Sequence, residues 1–144
     1  MAFRGTFDFT LDAKNRLTVP ARFRAALADG VVLARGAGAC VEVWPQAEYE
    51  SQHGRALEGL NPLSREYKEL KRHLFGSASD TELDAAGRVM VPSYLIRHAR
   101  LDRDVAVLGT GDYLEVWDRA AWESENERAA DRVTELTARF DHPS

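Results

Sequence analysis

Asp12-Ala13-Lys14-Asn15-Arg16-Leu17-Thr18-Val19-Pro20 recurs in the same chain as Asp84-Ala85-Ala86-Gly87-Arg88-Val89-Met90-Val91-Pro92. Asp, Ala, Arg, Val and Pro hold matching places at a constant offset of 72 (12 to 84, 16 to 88, 20 to 92). Each copy sets an acid four residues before an arginine, with a turn-former just ahead of the arginine and an apolar run closed by proline behind it. Gly87 takes positive φ without penalty, and Asn15 is among the few other residues that do so readily. Each copy is therefore expected to be a tight turn that feeds a short strand, with a helix beginning after the proline. An arginine fixed at a turn is a natural place for function.

The repeat spreads outward in both directions. Upstream, Phe3, Asp8 and Leu11 match Phe75, Asp80 and Leu83 at the same offset. Downstream the offset becomes 73, where Gly36-x-Gly38 matches Gly109-x-Gly111, Glu42-Val43-Trp44 matches Glu115-Val116-Trp117, and Tyr49-Glu50 matches Trp122-Glu123. Two copies are too few for a solenoid, so the expectation is a pseudo-two-fold unit in which both halves contribute strands to one core. The divisions expected are a first half over residues 1–60, a helical connector over 61–74, and a second half with a C-terminal helix over 75–144.

Alternation of Phe3, Gly5, Phe7, Phe9 and Leu11 with polar residues predicts a strand. Pro20 fits the first turn of a helix continuing through Ala28, with Phe23 and Leu27 on one face and Asp29-Gly30 at its end. Val31–Ala34 and Cys40–Trp44 read as a hairpin, and Pro45 opens a helix to about Gly59. Asn61-Pro62 reads as a helix cap, and Leu63, Tyr67, Leu70 and Leu74 form an apolar stripe behind it. From Phe75 the cycle repeats: strand, turn at Gly87, strand, helix from Pro92, hairpin Val105–Leu108 with Tyr113–Trp117, and a final helix capped by Asp118. Residues Asp141 to Ser144 are expected to fray. Strands this short need to interlock, so a single small barrel with helices outside is expected.

A hydrophobic content of 44% and 29% charged residues suit a soluble globular chain. No apolar run approaches a membrane span, and the N-terminus lacks the apolar core of a signal peptide. The single cysteine, Cys40, excludes an intrachain disulfide or a Cys-rich zinc site, and a cytoplasmic location is expected. The net charge of −4 is unevenly spread. Residues 1–24 carry Arg4, Lys14, Arg16, Arg22 and Arg24 against Asp8 and Asp12, whereas residues 112–144 carry nine acids against four arginines. A basic N-terminal surface for a polyanion follows, with an acidic end elsewhere.

No enzyme is expected. His53, His73, His98 and His142 lack metal-ligand spacing, no Gly-rich phosphate loop or Gly-x-Ser-x-Gly elbow is present, and Gly76-Ser77 reads as a loop. No catalytic residue, metal, cofactor or small-molecule substrate is therefore assigned. Asp12 and Asp84 are expected to be structural, accepting turn N–H groups and pairing with their arginines, because acids are repelled by phosphate. Arg16 suits phosphate and guanine edges, and Lys14 stands beside it. Arg88 lacks that lysine because Ala86 replaces it. Arg4, Arg22 and Arg24 are surface arginines near the basic turn, the first two taken as candidate phosphate contacts. Trp44, Trp117 and Trp122 are expected in the core or at a subunit contact.

Phe3-Arg4-Gly5, Leu11-Asp12-x-Lys14-x-Arg16-Leu17-x-Val19-Pro20, Asp84-x-x-Gly87-Arg88-Val89-x-Val91-Pro92 and Glu115-Val116-Trp117 closely resemble the MraZ family. The resemblance covers essentially the whole chain. It implies an α+β fold like that of AbrB-type regulators, a pseudo-two-fold, swapped-hairpin, double-psi-like β-barrel with flanking helices and two tandem copies per chain. It also implies homo-oligomeric rings and sequence-specific binding of double-stranded DNA at repeated short sites. Those sites lie upstream of the family's own operon in the division and cell wall gene cluster, which implies nucleoid association. Lys14, Asn15, Arg16 and Arg88 are the residues expected to bind DNA, with Arg4 and Arg22 beside them and Asp12, Asp84 and Gly87 shaping the turns. The family's first motif usually has Gly where this chain has Asn15. An oligomeric scaffold of the same fold without DNA contacts is the competing expectation.

Overall fold

The chain's structure is a computed structural model that describes residues 3–141. In chain order it runs β1 (Phe3–Thr10), β2 (Arg16–Thr18), two short 3₁₀ turns (Ala21–Phe23 and Ala25–Leu27), β3 (Val31–Arg35), β4 (Cys40–Pro45) and α1 (Gln46–Leu57). It continues with α2 (Arg65–Lys71), a π-helical turn (Arg72–Gly76), β5 (Ser79–Thr81), β6 (Arg88–Met90), α3 (Ser93–Ala99), β7 (Asp104–Gly111), β8 (Leu114–Asp118) and α4 (Arg119–Asp141). The expected fraying at His142, Pro143 and Ser144 lies outside the described residues, as do Met1 and Ala2.

The strand order shows the duplication directly. A six-stranded sheet runs β1-β7-β8-β4-β3-β5, and β2 pairs with β6 in a separate two-stranded ribbon. Every pairing is antiparallel. Exchanging each strand for its counterpart returns the same order, so the pseudo-two-fold axis passes between β4 and β8 and through the ribbon. The hairpins are swapped. β1 of the first half pairs only with β7 of the second, and β5 of the second pairs only with β3 of the first. The α+β class and the two swapped copies are as the sequence leads one to expect, but the barrel is not closed. β1 and β5 remain hydrogen-bonding edges, and the ribbon lies over the sheet without joining its ladder.

Burial explains this arrangement. Val31, Leu33, Val41, Val43, Val105, Val107, Leu114 and Val116 face one core with Leu17 and Val89 from the ribbon, Phe23 and Leu27 from the 3₁₀ turns, and Leu95 and Ala99 from α3. The alternate residues face the other way. Val32, Ala34 and Trp44 pack under Tyr49 of α1, and Cys40, Ala106, Leu108 and Trp117 pack under Trp122 of α4. The four central strands are thus covered on both faces, which is why Val31-Val32-Leu33-Ala34 and Val105-Ala106-Val107-Leu108 are continuous apolar runs. Burial pushes the Cys40 thiol up to about 12, leaving it a small apolar core residue. The tryptophan Nε1 atoms are satisfied locally. Trp44 donates to Glu42 at 2.8 Å and Trp117 to Glu115 at 3.0 Å. Arg119 ties α4 to β1, donating from Nη2 to the Phe9 carbonyl at 3.0 Å while its Nε stands 3.5 Å from the Asp8 carboxylate without a directed hydrogen bond.

Several local expectations are corrected. The helix expected after Pro20 is two 3₁₀ turns, closed by bonds such as Phe23 N to Pro20 O and Leu27 N to Arg24 O. The stretch between Pro20 and Gly30 is short, and it needs only to lower Phe23 and Leu27 into the core. The cap of α2 is Ser64, whose Oγ accepts from the Tyr67 N–H, while Asn61 Oδ1 accepts from Leu63 N in the preceding turn. The π-helical turn replaces the strand expected at Phe75. Phe3 is 1% exposed in the core and Phe75 is 39% exposed, so β5 is cut to three residues. The Gly-x-Gly match is also shifted. Val31 pairs Pro45 as Val105 pairs Asp118, and Arg35 pairs Val41 as Gly109 pairs Leu114. The offset is therefore 74 in β7 (31 to 105) and 73 in β8 (45 to 118). Gly109 serves a close approach instead, because a Cβ there would collide with the β1 backbone at Phe3 and Arg4.

The swap predicts that neither half stands alone. Residues 1–60 and 75–144 expressed separately should each give a disordered circular-dichroism spectrum, and an equimolar mixture should regain the sheet. Cooperative thermal unfolding of either fragment alone would contradict the exchanged pairing.

Candidate nucleic-acid interface

Each motif folds around its aspartate. Asp12 Oδ1 accepts the backbone N–H groups of Lys14 and Arg16, both at 2.9 Å, and Oδ2 accepts from the Arg16 Nε at 2.6 Å. Asp84 repeats this with Ala86 N, Arg88 N and Arg88 Nε, each at 2.9 Å. The carbonyls of Asp12 and Asp84 close the turns on the N–H groups of Asn15 and Gly87, at 3.0 Å and 2.9 Å. Those two residues take the left-handed conformation, with φ of 57° for Asn15 and 76° for Gly87. Both carboxyls are held below their ordinary range, chiefly by the backbone N–H of Arg16 or Arg88 and then by the guanidinium. A depressed carboxyl pKa contributes stability above the unfolded-state value, and that contribution is lost as pH falls through the lower folded value.

The two turns are stitched together. Val19 N donates to the Gly87 carbonyl at 3.0 Å, and Val91 N donates to the Asn15 carbonyl at 2.9 Å. Between these bonds the ribbon pairs Arg16 with Met90, Leu17 with Val89 and Thr18 with Arg88. Leu17 and Val89 point into the core. By the alternation of strands, Arg16, Thr18, Arg88 and Met90 share the outward face. Arg16 and Arg88 lie diagonally across the ladder, about 7–8 Å apart at the backbone. Their side chains are 28% and 32% exposed, and among the described residues only their Nε atoms have hydrogen-bond partners. The pinned guanidinia thus keep their Nη groups for an outside acceptor.

The other candidates are distributed unevenly. Lys14 is exposed on the first turn. Arg22 is held against β1, its guanidinium 5.1 Å above the Phe7 ring. Arg4 pairs with Thr110 at the far end of β1, six residues or about 20 Å from Thr10. Arg24, which charge counting leaves among the ordinary surface arginines, packs against the second turn. Its Nε donates to the Val19 carbonyl at 3.0 Å, and a Cβ on Gly87 would collide with its guanidinium. Only the fold brings Arg24 beside Gly87, because the two are far apart in the chain. Among the described residues no group of three or more His, Cys, Asp or Glu could hold a metal ion, and no helix is long and apolar enough to cross a membrane.

Comparison with known proteins agrees with the doubled motif. The family model described as "MraZ protein, putative antitoxin-like" matches residues 2–66 and again 74–142. The chain belongs to the MraZ family. It is 34% identical over 139 residues to a protein of Limosilactobacillus fermentum, covering 96% of both chains. It is 39% identical over 136 residues to one of Salinispora tropica, covering 93% of this chain and 94% of the relative. It is 43% identical over 121 residues to one of Micrococcus luteus, covering 83% of each. All three relatives are named transcriptional regulator MraZ, a regulator's name and not an enzyme's. The two MraZ matches fall on the two swapped halves, so each match supplies one turn to the shared ribbon.

The turn geometry predicts different tolerance at equivalent positions. Gly87→Ala should destabilise this MraZ chain by about 1–2 kcal/mol through left-handed strain alone, and by more once Arg24 is displaced. Asn15→Gly should change stability far less, because glycine and asparagine both take the left-handed conformation readily. Urea unfolding of both variants checks this, and equal losses would show that the two turns are not conformationally equivalent.

Proposed function

We propose that this chain is a sequence-specific DNA-binding transcriptional regulator that engages the duplex with the outward face of the β2–β6 ribbon. The observation that carries the reading is the pair of pinned arginines, Arg16 and Arg88, on one exposed two-stranded ribbon. The major groove admits such a ribbon, and arginine is the side chain best suited to guanine edges and phosphates. Each aspartate fixes its arginine before any ligand arrives, which lowers the ordering cost of binding. Lys14 and Asn15 extend the contact from the first turn, and Asp12, Asp84 and Gly87 act through the shape of the turns. The regulator's name borne by the relatives supports the same reading. The target is double-stranded DNA with repeated short sites before the chain's own operon in the division and cell wall cluster, and the protein works in the cytoplasm at the nucleoid.

Binding titrations on duplexes with one, two and three repeats test this. Arg16→Ala should cost roughly 1–3 kcal/mol per engaged subunit, compound with repeat number through effective concentration, and flatten the salt dependence. Arg88→Ala should cost less, because Ala86 supplies no neighbouring cation. Wild-type affinity of Arg16→Ala on all three duplexes would remove the ribbon from the DNA contact and favour the scaffold reading.

A closed homo-oligomeric ring is the second half of the proposal. Val133, Leu136 and Phe140 leave an exposed apolar row on α4, with Phe140 83% exposed, and Leu63 in the connector is 83% exposed. Apolar rows of this kind are covered by partners. Light scattering at micromolar concentration should give a closed oligomer for the full chain and a smaller species for Leu136→Glu/Phe140→Glu. A wild-type monomer would overturn the ring.

A further inference from the structure

On the face of the sheet opposite the ribbon, a cleft of about 180 Å³ opens between β3, β4, α1 and the π-helical turn. Arg35, Glu42, Tyr49, His53 and His73 line it. Arg35 and Glu42 share this cleft, yet neither makes an ion pair among the described residues. Neighbours set the polarity of the two neutral imidazoles. A guanidinium only donates, so Arg35 Nη2, 3.4 Å from His73 Nδ1, makes that nitrogen the acceptor and leaves the proton on Nε2. A carbonyl only accepts, so His53 Nδ1 donates to the Tyr49 carbonyl at 2.8 Å and leaves Nε2 as an acceptor. Glu42 Oε1 accepts from Trp44 Nε1 at 2.8 Å, while its Oε2 has no hydrogen-bond partner among the described residues and is not sealed from solvent. His53 stands edge-on to the same Trp44 ring, with centroids 5.0 Å apart. One end of the cleft therefore donates, through Arg35 and His73, and the other accepts, through Glu42 and His53.

We propose that this cleft binds a small free α-amino acid, its carboxylate on Arg35 and His73 and its ammonium on Glu42 Oε2 and His53 Nε2. The carboxylate accepts from donors that have no carboxylate of their own, and the ammonium supplies donors to two acceptors left open. Burial is the main cause that raises the Glu42 carboxyl, and an ammonium beside it offsets that cost. The duplicated frame does not require this chemistry. Glu115, the counterpart of Glu42, holds Trp117 in the same way, so the Glu–Trp bond belongs to the frame. The counterparts of Arg35, Tyr49 and His53 are Gly109, Trp122 and Asn126, and His73 in the connector has none. His73 reaches the cleft on a π-helical turn, an uncommon element that recurs at functional sites. The cleft is smaller than the roughly 300–1,000 Å³ of sites for drug-sized ligands. Glycine, alanine or serine suits it, and a nucleotide or a bulky aromatic amino acid does not.

Isothermal titration of the full-length protein tests this with glycine, alanine and serine as ligands, and with acetate, methylammonium and tryptophan as controls. At least one of the three small amino acids should bind saturably at one site per chain. Acetate and methylammonium, which each offer half of the ligand, should bind at least about tenfold more weakly, the worth of one charge-assisted contact, and tryptophan should not bind. Arg35→Gln and Glu42→Gln should each weaken the amino acid by a similar factor. Arg35 is exposed, and glutamine at 42 keeps an acceptor for the Trp44 N–H, so both variants retain the fold. In wild type the imidazole NMR signals of His53 and His73 should move together on titration with the bound amino acid. Three results each overturn the proposal: no saturable binding of any of the three, acetate binding as tightly as the amino acid, or unmoved imidazole signals at saturation. Unchanged affinity in both variants overturns it as well. None of these outcomes bears on DNA binding, which this site does not use.

Discussion

The structure depends on a carboxylate that accepts two backbone N–H groups and a guanidinium at once. Asp12 and Asp84 each do this. The result is a turn whose left-handed residue presents its carbonyl outward, and that carbonyl receives the strand end of the opposite copy. Neither turn is complete without the other. The ribbon between them places Leu17 and Val89 in the core at the pseudo-axis, opposite the inner face of the sheet. Charge-assisted hydrogen bonds at the surface thus fix the register of a buried apolar pair, and the swapped hairpins follow from the same crossing.

The duplication is kept where two copies meet and relaxed where they face solvent. At the axis the pairing is self-consistent: Leu17 with Val89, Val41 with Val116, Glu42 with Glu115. The two glutamates sit opposite each other, and each holds the Nε1–H of its own tryptophan. The Glu42 carboxyl is pushed up first by burial and also by the charge of Glu115. Away from the axis the copies diverge. β1 has eight residues and β5 three, and β1 has the longer partner in β7. The long edge is stabilised further by Arg119, whose counterpart Gln46 makes no such link to β5 among the described residues.

Much of this was legible in the residues. Asn15 and Gly87 announce positive φ because few other residues tolerate it, and both adopt it. The aspartate four residues before each arginine announces the turn bonds. Asp118 caps α4 as read, accepting from Ala121 N at 3.0 Å. What escaped was set by partners distant in sequence. The one-residue slip of the Gly-x-Gly match could not be seen, because glycines mark either a turn or a close approach and only the β1–β7 pairing decides which. The segment after Pro20 has the composition of an α-helix, and tertiary packing of Phe23 and Leu27 makes it 3₁₀. Arg24 reads as a surface charge until the exchange of hairpins brings Gly87 beside it.

The aspartates pose a last physical problem. A turn that carries an ionised acid cancels its own arginine, so the two Asp–Arg pairs together contribute no net charge at the ribbon. Both acids are ionised at neutral pH, and their depressed pKa values carry that charge to lower pH. Under the proposed function, long-range attraction to phosphate falls to Lys14 on the first turn and Arg24 beside the second, neither of which has a carboxylate partner among the described residues. Such a face gains order at the expense of field. In the proposed function its arginines are preorganised for base edges, where geometry decides, and poorly equipped for non-specific binding, where charge decides. With a net charge of −4 over the chain, the proposed function leaves a single copy little hold on arbitrary DNA. Under the proposed DNA-binding function, affinity comes from several copies engaging matched sites together, where each weak but discriminating contact is multiplied. For the proposed regulator, specificity by preorganisation and affinity by multivalency are thus two consequences of one choice, the aspartate at the base of each turn.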